Sequence, residues 1–431
     1  MRAEWLALPL ATCIGWGQQV LPADAAHDVA GNLNRRVVAE QLSHADTNDR
    51  IKAYERMLAS SPDDPQIQGA LISAYLQKLR ESADYAYLDR AGKLVDRMLE
   101  KDGGNFAALR FQNEIDMQRH DFKAVAERAE DMARYAPSDP GSWGNLGDAR
   151  MELGEYAQAG QAYEKMFALR PNLASYNRLA YFRFVTGDAG GAIALMRDAI
   201  ATGDPIVENT AWCWAELGDM YFKTGKLPEA EESYRSALSL FPALHRASAG
   251  LGKIEAARGN LQAAIKNFHR AQSIVPLVEY AGALEDLYAA AGMPREAGEQ
   301  RDLVATIAKL GKINNEKTNR NLALLLADHS RDLNLALNLI EAEIPVRGDV
   351  YTWDALSWVL FQNGRLQEAM EANAKALKLA TPEPLFYYHA SRIASASGDQ
   401  QSANDYTRRL TALNAHFDFA KTGPVATAAR R

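Results

Sequence analysis

Apolar and small residues recur along the stretch Ala211–Pro242 at spacings of three, four and seven positions. This spacing places Trp214 and Tyr221 on one face of an α-helix. Gly225 follows, and glycine readily takes the positive φ that ends a helix. Pro228 suits the first turn of a second helix, where its missing N–H costs least. The pattern therefore predicts a helical hairpin whose two helices pack through their apolar faces.

The hairpin pattern returns along most of the chain. The turn residue between the two helices occurs at nine positions, 33 to 38 residues apart: His120, Gly154, Gly187, Gly225, Gly259, Gly292, Ser330, Gly364 and Gly398. A small residue follows in the second helix at Ala159, Ala192, Ala230, Ala264, Ala297, Ala336, Ala369 and Ala403. An unrelated helical protein would not keep this register over so many steps, so the chain consists of repeats.

The repeat resembles the tetratricopeptide repeat (TPR), whose period is about 34 residues. The resemblance rests on the order of Trp214, Leu217-Gly218, Tyr221, Ala230, Tyr234 and Pro242, and on its counterparts elsewhere. It covers roughly residues 66–414 and is strongest from 140 to 380. It implies an all-α fold, a right-handed superhelical α-solenoid of about ten TPR-like helical hairpins with a concave groove.

The pattern divides the chain into five parts. Residues 1–25 form a candidate signal peptide, and residues 26–61 form a polar entry segment with a leading helix. The N-terminal repeat array then spans residues 62–310 and the C-terminal array spans residues 311–414. Between the arrays, the polar stretch 311–315 interrupts the repeat and predicts a hinge. Residues 415–431 have no period, and we expect them to be disordered.

The first residues have the features of an export signal. Arg2 is followed by an apolar run from Trp5 to Trp16, and small residues allow cleavage after Ala25. The acidic residue Glu4 argues against an export signal, and the alternative is an ordinary amphipathic segment. A lipid anchor at Cys13 is a weaker alternative. A true signal would make the protein periplasmic or extracellular, whereas otherwise it would be cytoplasmic. Its removal would leave one cysteine, so an internal disulfide is not expected.

Composition and charge narrow the class of protein. The chain has 431 residues, more than one compact core usually holds, which favours an elongated array. Its net charge of −7 is mild and dispersed, which argues against nucleic acid as a partner. The apolar run near the N-terminus is too short for a transmembrane helix, so no integral membrane span is expected.

Residue patterns typical of catalysis or metal binding are missing from the sequence. No two of the eight histidines lie three or four residues apart, as a helical metal site would require. The carboxylates at 63–64 and 229–232 fall at helix starts, where they complement the helix dipole. Thr224-Gly225-Lys226 lacks the spacing and the preceding strand of a phosphate loop. We therefore predict no catalytic residue, no metal site, no cofactor and no enzymatic activity.

The resemblance also implies which residues line the groove. In TPR proteins these are mainly the second, fifth, ninth and twelfth positions of the first helix. That register selects Asn177, Tyr181, Phe184, Trp212, Asp219, Phe222, Arg246, Lys253 and Asp286 as peptide-binding residues. Aromatic residues and arginine dominate such contacts. The alternative is that several of these aromatic residues pack between repeats, since Phe184 and Phe222 lie near their helix ends.

Two functions remain open at this stage. The first is a non-enzymatic scaffold that binds a protein or peptide segment of unknown identity in its concave groove. The second is an exported accessory subunit that organises a cell-envelope assembly or polysaccharide biogenesis enzyme. The carboxylate clamp of chaperone-tail binders is not expected, because Gly144 and Ala215 occupy the equivalent places. Neither the partner nor the oligomeric state can be read from the sequence.

Overall fold

The computed structural model describes residues 45–204, 206–313 and 318–417. Within these ranges the chain forms twenty-one α-helices, one short 3₁₀-helix and no strand. A leading helix, α1, precedes ten helical hairpins that follow one another along the chain. The all-α solenoid predicted from the repeat pattern is confirmed.

The helices have the following bounds. The leading helix and hairpins 1 to 5 are α1 Thr47–Ser60, α2 Pro65–Ser82, α3 Ala86–Lys101, α4 Phe106–Gln118, α5 Phe122–Tyr135, α6 Pro140–Glu152, α7 Tyr156–Leu169, α8 Leu173–Val185, α9 Ala189–Thr202, α10 Val207–Lys223 and α11 Leu227–Leu240. Hairpins 6 to 10 are α12 His245–Ala257, α13 Leu261–Ile274, α14 Val278–Ala290, α15 Pro294–Ile313, α16 Arg320–Asp328, α17 Leu333–Glu343, α18 Val350–Gln362, α19 Leu366–Ala376, α20 Pro384–Ala396 and α21 Gln400–Leu413. The 3₁₀-helix Leu377–Leu379 follows α19.

The turns inside the hairpins have the backbone conformation that the sequence predicts. All nine predicted turn residues have positive φ, from 50° at Ser330 to 96° at Gly187. His120 adopts this conformation without being glycine, at φ 60°. Hairpin 1, whose register the sequence leaves uncertain, turns at Ala83 with φ 53°. A left-handed residue at each turn lets the second helix reverse direction and pack on the first.

Acidic residues at helix starts act as caps. The Asp64 side chain accepts hydrogen bonds from the backbone N–H groups of Gln66 and Ile67 at the start of α2. Glu229 lies in the first turn of α11. Both positions complement the partial positive charge of a helix N-terminus. These carboxylates therefore have the structural role expected from the sequence.

The helices of each hairpin meet through small residues. All eight alanines of the repeat pattern are at most 4% exposed. In hairpin 5, a Cβ added at Gly218 would lie 2.6 Å from the Tyr234 ring, so only glycine fits there. Tyr234 is fully buried, and its hydroxyl donates a hydrogen bond of 2.6 Å to Asp219. Because Gly218 has no side chain, the Tyr234 ring packs directly against the backbone of the first helix.

The hydrophobic core continues from the N-terminal to the C-terminal array. On α14, Leu284 packs with the residues of hairpins 4 to 6, whereas Val278 and Ala281 pack with Leu322 of hairpin 8. Helix α15 extends to Ile313, and residues 314–317 lie outside the described residues. The predicted hinge at 311–315 therefore stays a prediction. The candidate signal peptide and nearly all of the tail also lie outside the described residues.

The first helices of hairpins six repeats apart stack end to end. The turn that follows α4 lies next to the start of α16, since His120, Asn319 and Arg320 line the same small space. In the same way the start of α18 meets hairpin 3, through a hydrogen bond of 2.8 Å from the Val350 N–H to the hydroxyl of Tyr156, the first residue of α7. Six hairpins thus complete one turn of the solenoid, and we call the concave side formed by the first helices the inner groove.

Candidate functional site: the inner groove

The structure separates the nine predicted groove residues by their exposure. Five of them are buried, with exposed fractions of 2 to 9%: Asn177, Phe184, Trp212, Phe222 and Asp286. The other four are half-buried: Tyr181, Asp219, Arg246 and Lys253. Two of these four, Asp219 and Arg246, keep only 13% and 11% of their side-chain surface exposed. Phe184 and Phe222 pack in the core of hairpins 4 to 7, as the packing alternative describes.

Arg246 is held by carboxylates of the preceding hairpin. Its guanidinium pairs with Glu216 and donates a hydrogen bond of 2.8 Å to Asp219. The same group lies 4.6 Å above the Trp212 ring in a cation–π contact. Burial by itself raises the pKa of Asp219, but Arg246 and Lys253 outweigh burial and lower that pKa to about 2. Arg246 thus has its donors engaged and fixes the Trp212 ring in place.

Lys253 lies beside this cluster, and its ammonium group has no ion pair among the described residues. No carboxylate among the described residues lies within ion-pair distance of its ammonium group, although Asp219 and Glu279 both interact with it over longer range. Glu279 accepts a hydrogen bond of 2.6 Å from the Asn321 side chain. Burial raises the pKa of Glu279 to about 7. Lys253, Glu279 and Asn321 therefore form a polar patch on hairpins 6 to 8, which we call the Lys253 patch.

A second cluster lies where the first coil of the solenoid, hairpins 2 to 7, meets the second coil, hairpins 8 to 10. Lys223, in the last turn of α10, pairs at 2.8 Å with Glu383, which occupies the N-cap position of α20. The Lys223 ammonium also lies 5.3 Å from the Tyr351 ring and 5.7 Å from the Phe184 ring. Burial lowers the pKa of Lys223, but Glu383 outweighs burial and leaves the pKa raised. A cation at a helix C-terminus and an anion at an N-terminus both complement the helix dipoles.

Sequence reasoning did not identify Glu216, Lys223, Glu279, Tyr351 or Glu383 as groove residues. Tyr351 and Glu279 occupy the second position of their repeats, as Trp212 and Arg246 do, so extending the same register would have selected them. Lys223 and Glu383 have no comparable signal. Their pairing depends on two hairpins that are far apart in the chain.

Glu279 supports a prediction on pH dependence. Its pKa is raised from 4.5 to about 7 in the folded chain, where Lys253, Arg320 and Asn321 are the neighbouring polar groups. The folded state therefore binds this proton more tightly than the unfolded state, and rising pH through this window lowers stability. Since glutamine does not titrate, we expect Glu279→Gln to gain stability relative to the unchanged chain at about pH 8 but not at about pH 5.

The measurement is the thermal midpoint of both proteins at the two pH values, followed by circular dichroism. Glutamine keeps an oxygen that can accept the Asn321 hydrogen bond, so the substitution changes charge more than packing. An equal difference in midpoint at both pH values would contradict the prediction.

The described residues contain neither a candidate metal-ion site nor a candidate membrane span. No group of three or more His, Cys, Asp or Glu side chains converges there on a point that could hold a metal ion. None of the described helices is both long and apolar enough to cross a membrane. Cys213 is buried, and burial raises the pKa of its thiol well above the usual range.

The fold and the groove define a class, the helical-repeat solenoids, in which each hairpin buries its apolar face on its neighbours. Two segments then identify the repeat, because residues 140–173 and 215–279 match models of the tetratricopeptide repeat. The chain is a tetratricopeptide repeat protein, and the resemblance seen in its sequence is confirmed. Tetratricopeptide repeats support a protein-interaction scaffold as the general role of this chain.

Solved structures with similar backbones include several repeat proteins. The Cut9 and Hcn1 hetero-tetramer of the APC/C matches with 14% identity and a TM-score of 0.47, over 81% of this chain and 60% of that chain. A human IFIT1 dimer with PPP-AAAA matches with 14% identity and a TM-score of 0.47, over 88% of this chain and 93% of that chain. MamA matches with 23% identity and a TM-score of 0.32, over 37% of this chain and 92% of that chain. No curated protein matches the sequence.

Proposed function

We propose that this protein is a non-enzymatic scaffold that binds an extended peptide segment in its inner groove, at the Lys253 patch. The observation that carries the proposal is the half-buried Lys253 ammonium, which has no ion-pair partner among the described residues. A cation held partly out of water without a close counter-charge gains most from a partner that supplies one. Tyr181 extends the same groove with an aromatic ring that retains partial exposure.

The neighbouring side chains favour a peptide as the ligand. Glu279 and Asn321 offer hydrogen-bonding groups beside the Lys253 ammonium, and an extended backbone has both donors and acceptors to match them. The cluster of Arg246 on Trp212 is rigid, because two carboxylates hold the guanidinium. A preorganised wall of this kind reduces the ordering cost of binding.

Affinity capture with the purified chain, followed by mass spectrometry, tests this proposal. We expect at least one protein to be captured by the unchanged chain and lost with Lys253→Ala and with Tyr181→Ala. Lys266→Ala is the matched control, because Lys266 is exposed on the second helix of the same hairpin. Capture that is lost equally with the control, or kept with both groove variants, would place the binding surface elsewhere.

A second candidate function rests on the N-terminal sequence alone. The apolar run from Trp5 to Trp16 favours export, and an exported array suits an accessory subunit of a cell-envelope assembly or polysaccharide biogenesis enzyme. Mass spectrometry of the mature N-terminus tests the premise. Recovery of a chain that still begins at Met1 and retains Trp5 would remove this candidate.

A further inference from the structure

Three long-range hydrogen bonds connect hairpins 3 to 5 with the C-terminal hairpins. The Val350 N–H donates to the Tyr156 hydroxyl at 2.8 Å. The Thr381 hydroxyl donates to the Val185 carbonyl at 2.6 Å, and the Asn414 side chain donates to the Phe222 carbonyl at 2.8 Å. The last two contacts add hydrogen bonds to carbonyl groups at the ends of α8 and α10, and the Phe222 carbonyl also accepts from the Gly225 N–H. The first coil is thus capped by the second.

A hydrophobic cluster lies at the same junctions. It combines buried side chains of hairpins 3 and 4 with two from hairpins 9 and 10: Met151, Tyr156, Ala159, Tyr163, Leu179, Val185, Val350 and Phe386. Val350 is fully buried and Phe386 is 2% exposed. Tyr181 packs against this cluster, as do Tyr351 and Leu379 from the second coil. The second coil therefore packs on the same cluster as Tyr181, one of the predicted groove residues.

Ion pairs add to the junctions. Arg347, which is 2% exposed, pairs with Glu152 at the end of α6 at 2.7 Å and with Glu343 at 3.3 Å. Lys223 pairs with Glu383 at 2.8 Å. Each pair joins a residue of the first coil to one of the second, apart from the contact of Arg347 with Glu343. The two coils are therefore complementary in charge as well as in shape.

The turn glycines differ in what they contact. Gly154 touches the Gly348 carbonyl so closely that an added Cβ would overlap it, and a Cβ at Gly187 would lie 2.9 Å from the Leu379 carbonyl oxygen. A Cβ at Gly225 would lie 3.2 Å from the Asn414 Cα. The equivalent turns at Gly259, Gly292, Gly364 and Gly398 have no atom within 4 Å of such a Cβ. Among the glycine turns, close contact is therefore confined to hairpins 3, 4 and 5.

We propose that these junctions form a releasable clasp, which holds the C-terminal hairpins over the inner groove and controls the access of a partner to it. The clasp is noncovalent, and each junction joins segments about six repeats apart. Its separation would expose Tyr181, Lys223 and Tyr351 without unfolding either coil, because each hairpin also packs on its neighbours. The role in partner access rests on the proposed function, whereas the clasp itself can be tested without a partner.

The test compares two substitutions in equivalent turns. Gly154 and Gly364 both have φ 75°, so an alanine introduces the same backbone strain at either position. Only Gly154→Ala also forces a methyl group against the second coil. We expect Gly154→Ala to increase the radius of gyration in small-angle X-ray scattering. We also expect severalfold faster acetylation of Lys223 by a small amine-reactive reagent, measured by peptide mass spectrometry.

The control and a second variant make the outcome decisive. Gly364→Ala should leave both the radius and the acetylation rate of Lys223 unchanged. Thr381→Val removes the hydrogen bond to Val185 with little change of shape, and we expect a smaller increase in the same two measurements. The clasp is overturned if neither Gly154→Ala nor Thr381→Val differs from Gly364→Ala. Because no partner is added, this result is independent of whether a peptide binds at the Lys253 patch.

Discussion

Arg178→Ala is expected to lower the free energy of unfolding by about 3–5 kcal/mol, because it leaves a buried carboxylate without its partner. The Arg178 side chain is fully buried, and Asp148 is 2% exposed. Arg178 donates hydrogen bonds of 3.0 and 2.9 Å to Asp148 from two of its nitrogens. Asp148 also accepts a hydrogen bond of 2.8 Å from the Tyr163 hydroxyl. Urea unfolding followed by circular dichroism measures the loss.

Arg183→Ala on the same helix is the matched control. Arg183 pairs with Asp188 at 3.0 Å, but the two side chains are 52% and 46% exposed. Exposed ion pairs contribute about 0–1 kcal/mol, so this variant should unfold close to the unchanged chain. Similar losses for the two variants would show that burial of the Asp148 carboxylate is not what makes Arg178 important.

Trp358→Ala should cost about 3–5 kcal/mol, because it empties a large volume in the core of the C-terminal hairpins. Trp358 is 2% exposed, and its ring stacks on His389 at a centroid distance of 4.2 Å. Its indole N–H donates a hydrogen bond of 2.7 Å to Asp328. Burial raises the pKa of Asp328 well above the usual range.

Trp358→Phe separates the ring from the hydrogen bond. It keeps much of the aromatic volume and removes the donor to Asp328, so we expect a loss well below that of alanine. Thermal unfolding of both variants, monitored by circular dichroism, provides the comparison. If phenylalanine were as damaging as alanine, the indole hydrogen bond rather than the packed volume would dominate at this position.

The closed coil changes how the groove is understood. In an open solenoid, the second and twelfth positions of the first helices would face solvent, as the resemblance implies. Here Trp212 is covered by Arg246, and Phe222 is buried in the core. Lys253, in contrast, keeps partial exposure and has no ion-pair partner among the described residues.

The repeat and its turns could be predicted because they depend on residues close together in the chain. A glycine at a hairpin turn, a proline in a first turn and a small residue opposite a large ring each act within one hairpin. Gly218 and Tyr234 are sixteen positions apart and meet as predicted. The positive φ of His120 and Ser330 also followed from register, although neither is glycine.

The exposure of the groove residues could not be predicted in the same way. It depends on how far each hairpin is rotated relative to the last, and small rotations accumulate along a solenoid. After five hairpins the rotation brings Glu383 to Lys223, and after six it brings Val350 to Tyr156. No local pattern records a contact between segments that are 160 or 194 residues apart.

The sequence by itself determined the all-α class, the repeat, its family and the turns of hairpins 2 to 10, since apolar periodicity and turn chemistry act over a few residues. Only the tertiary structure decided which groove side chains stay accessible and which ion pairs join the coils. It also decided that the turns at Gly154, Gly187 and Gly225 meet a second coil, whereas those at Gly364 and Gly398 do not. These features follow from the summed geometry of six hairpins, which no single repeat contains.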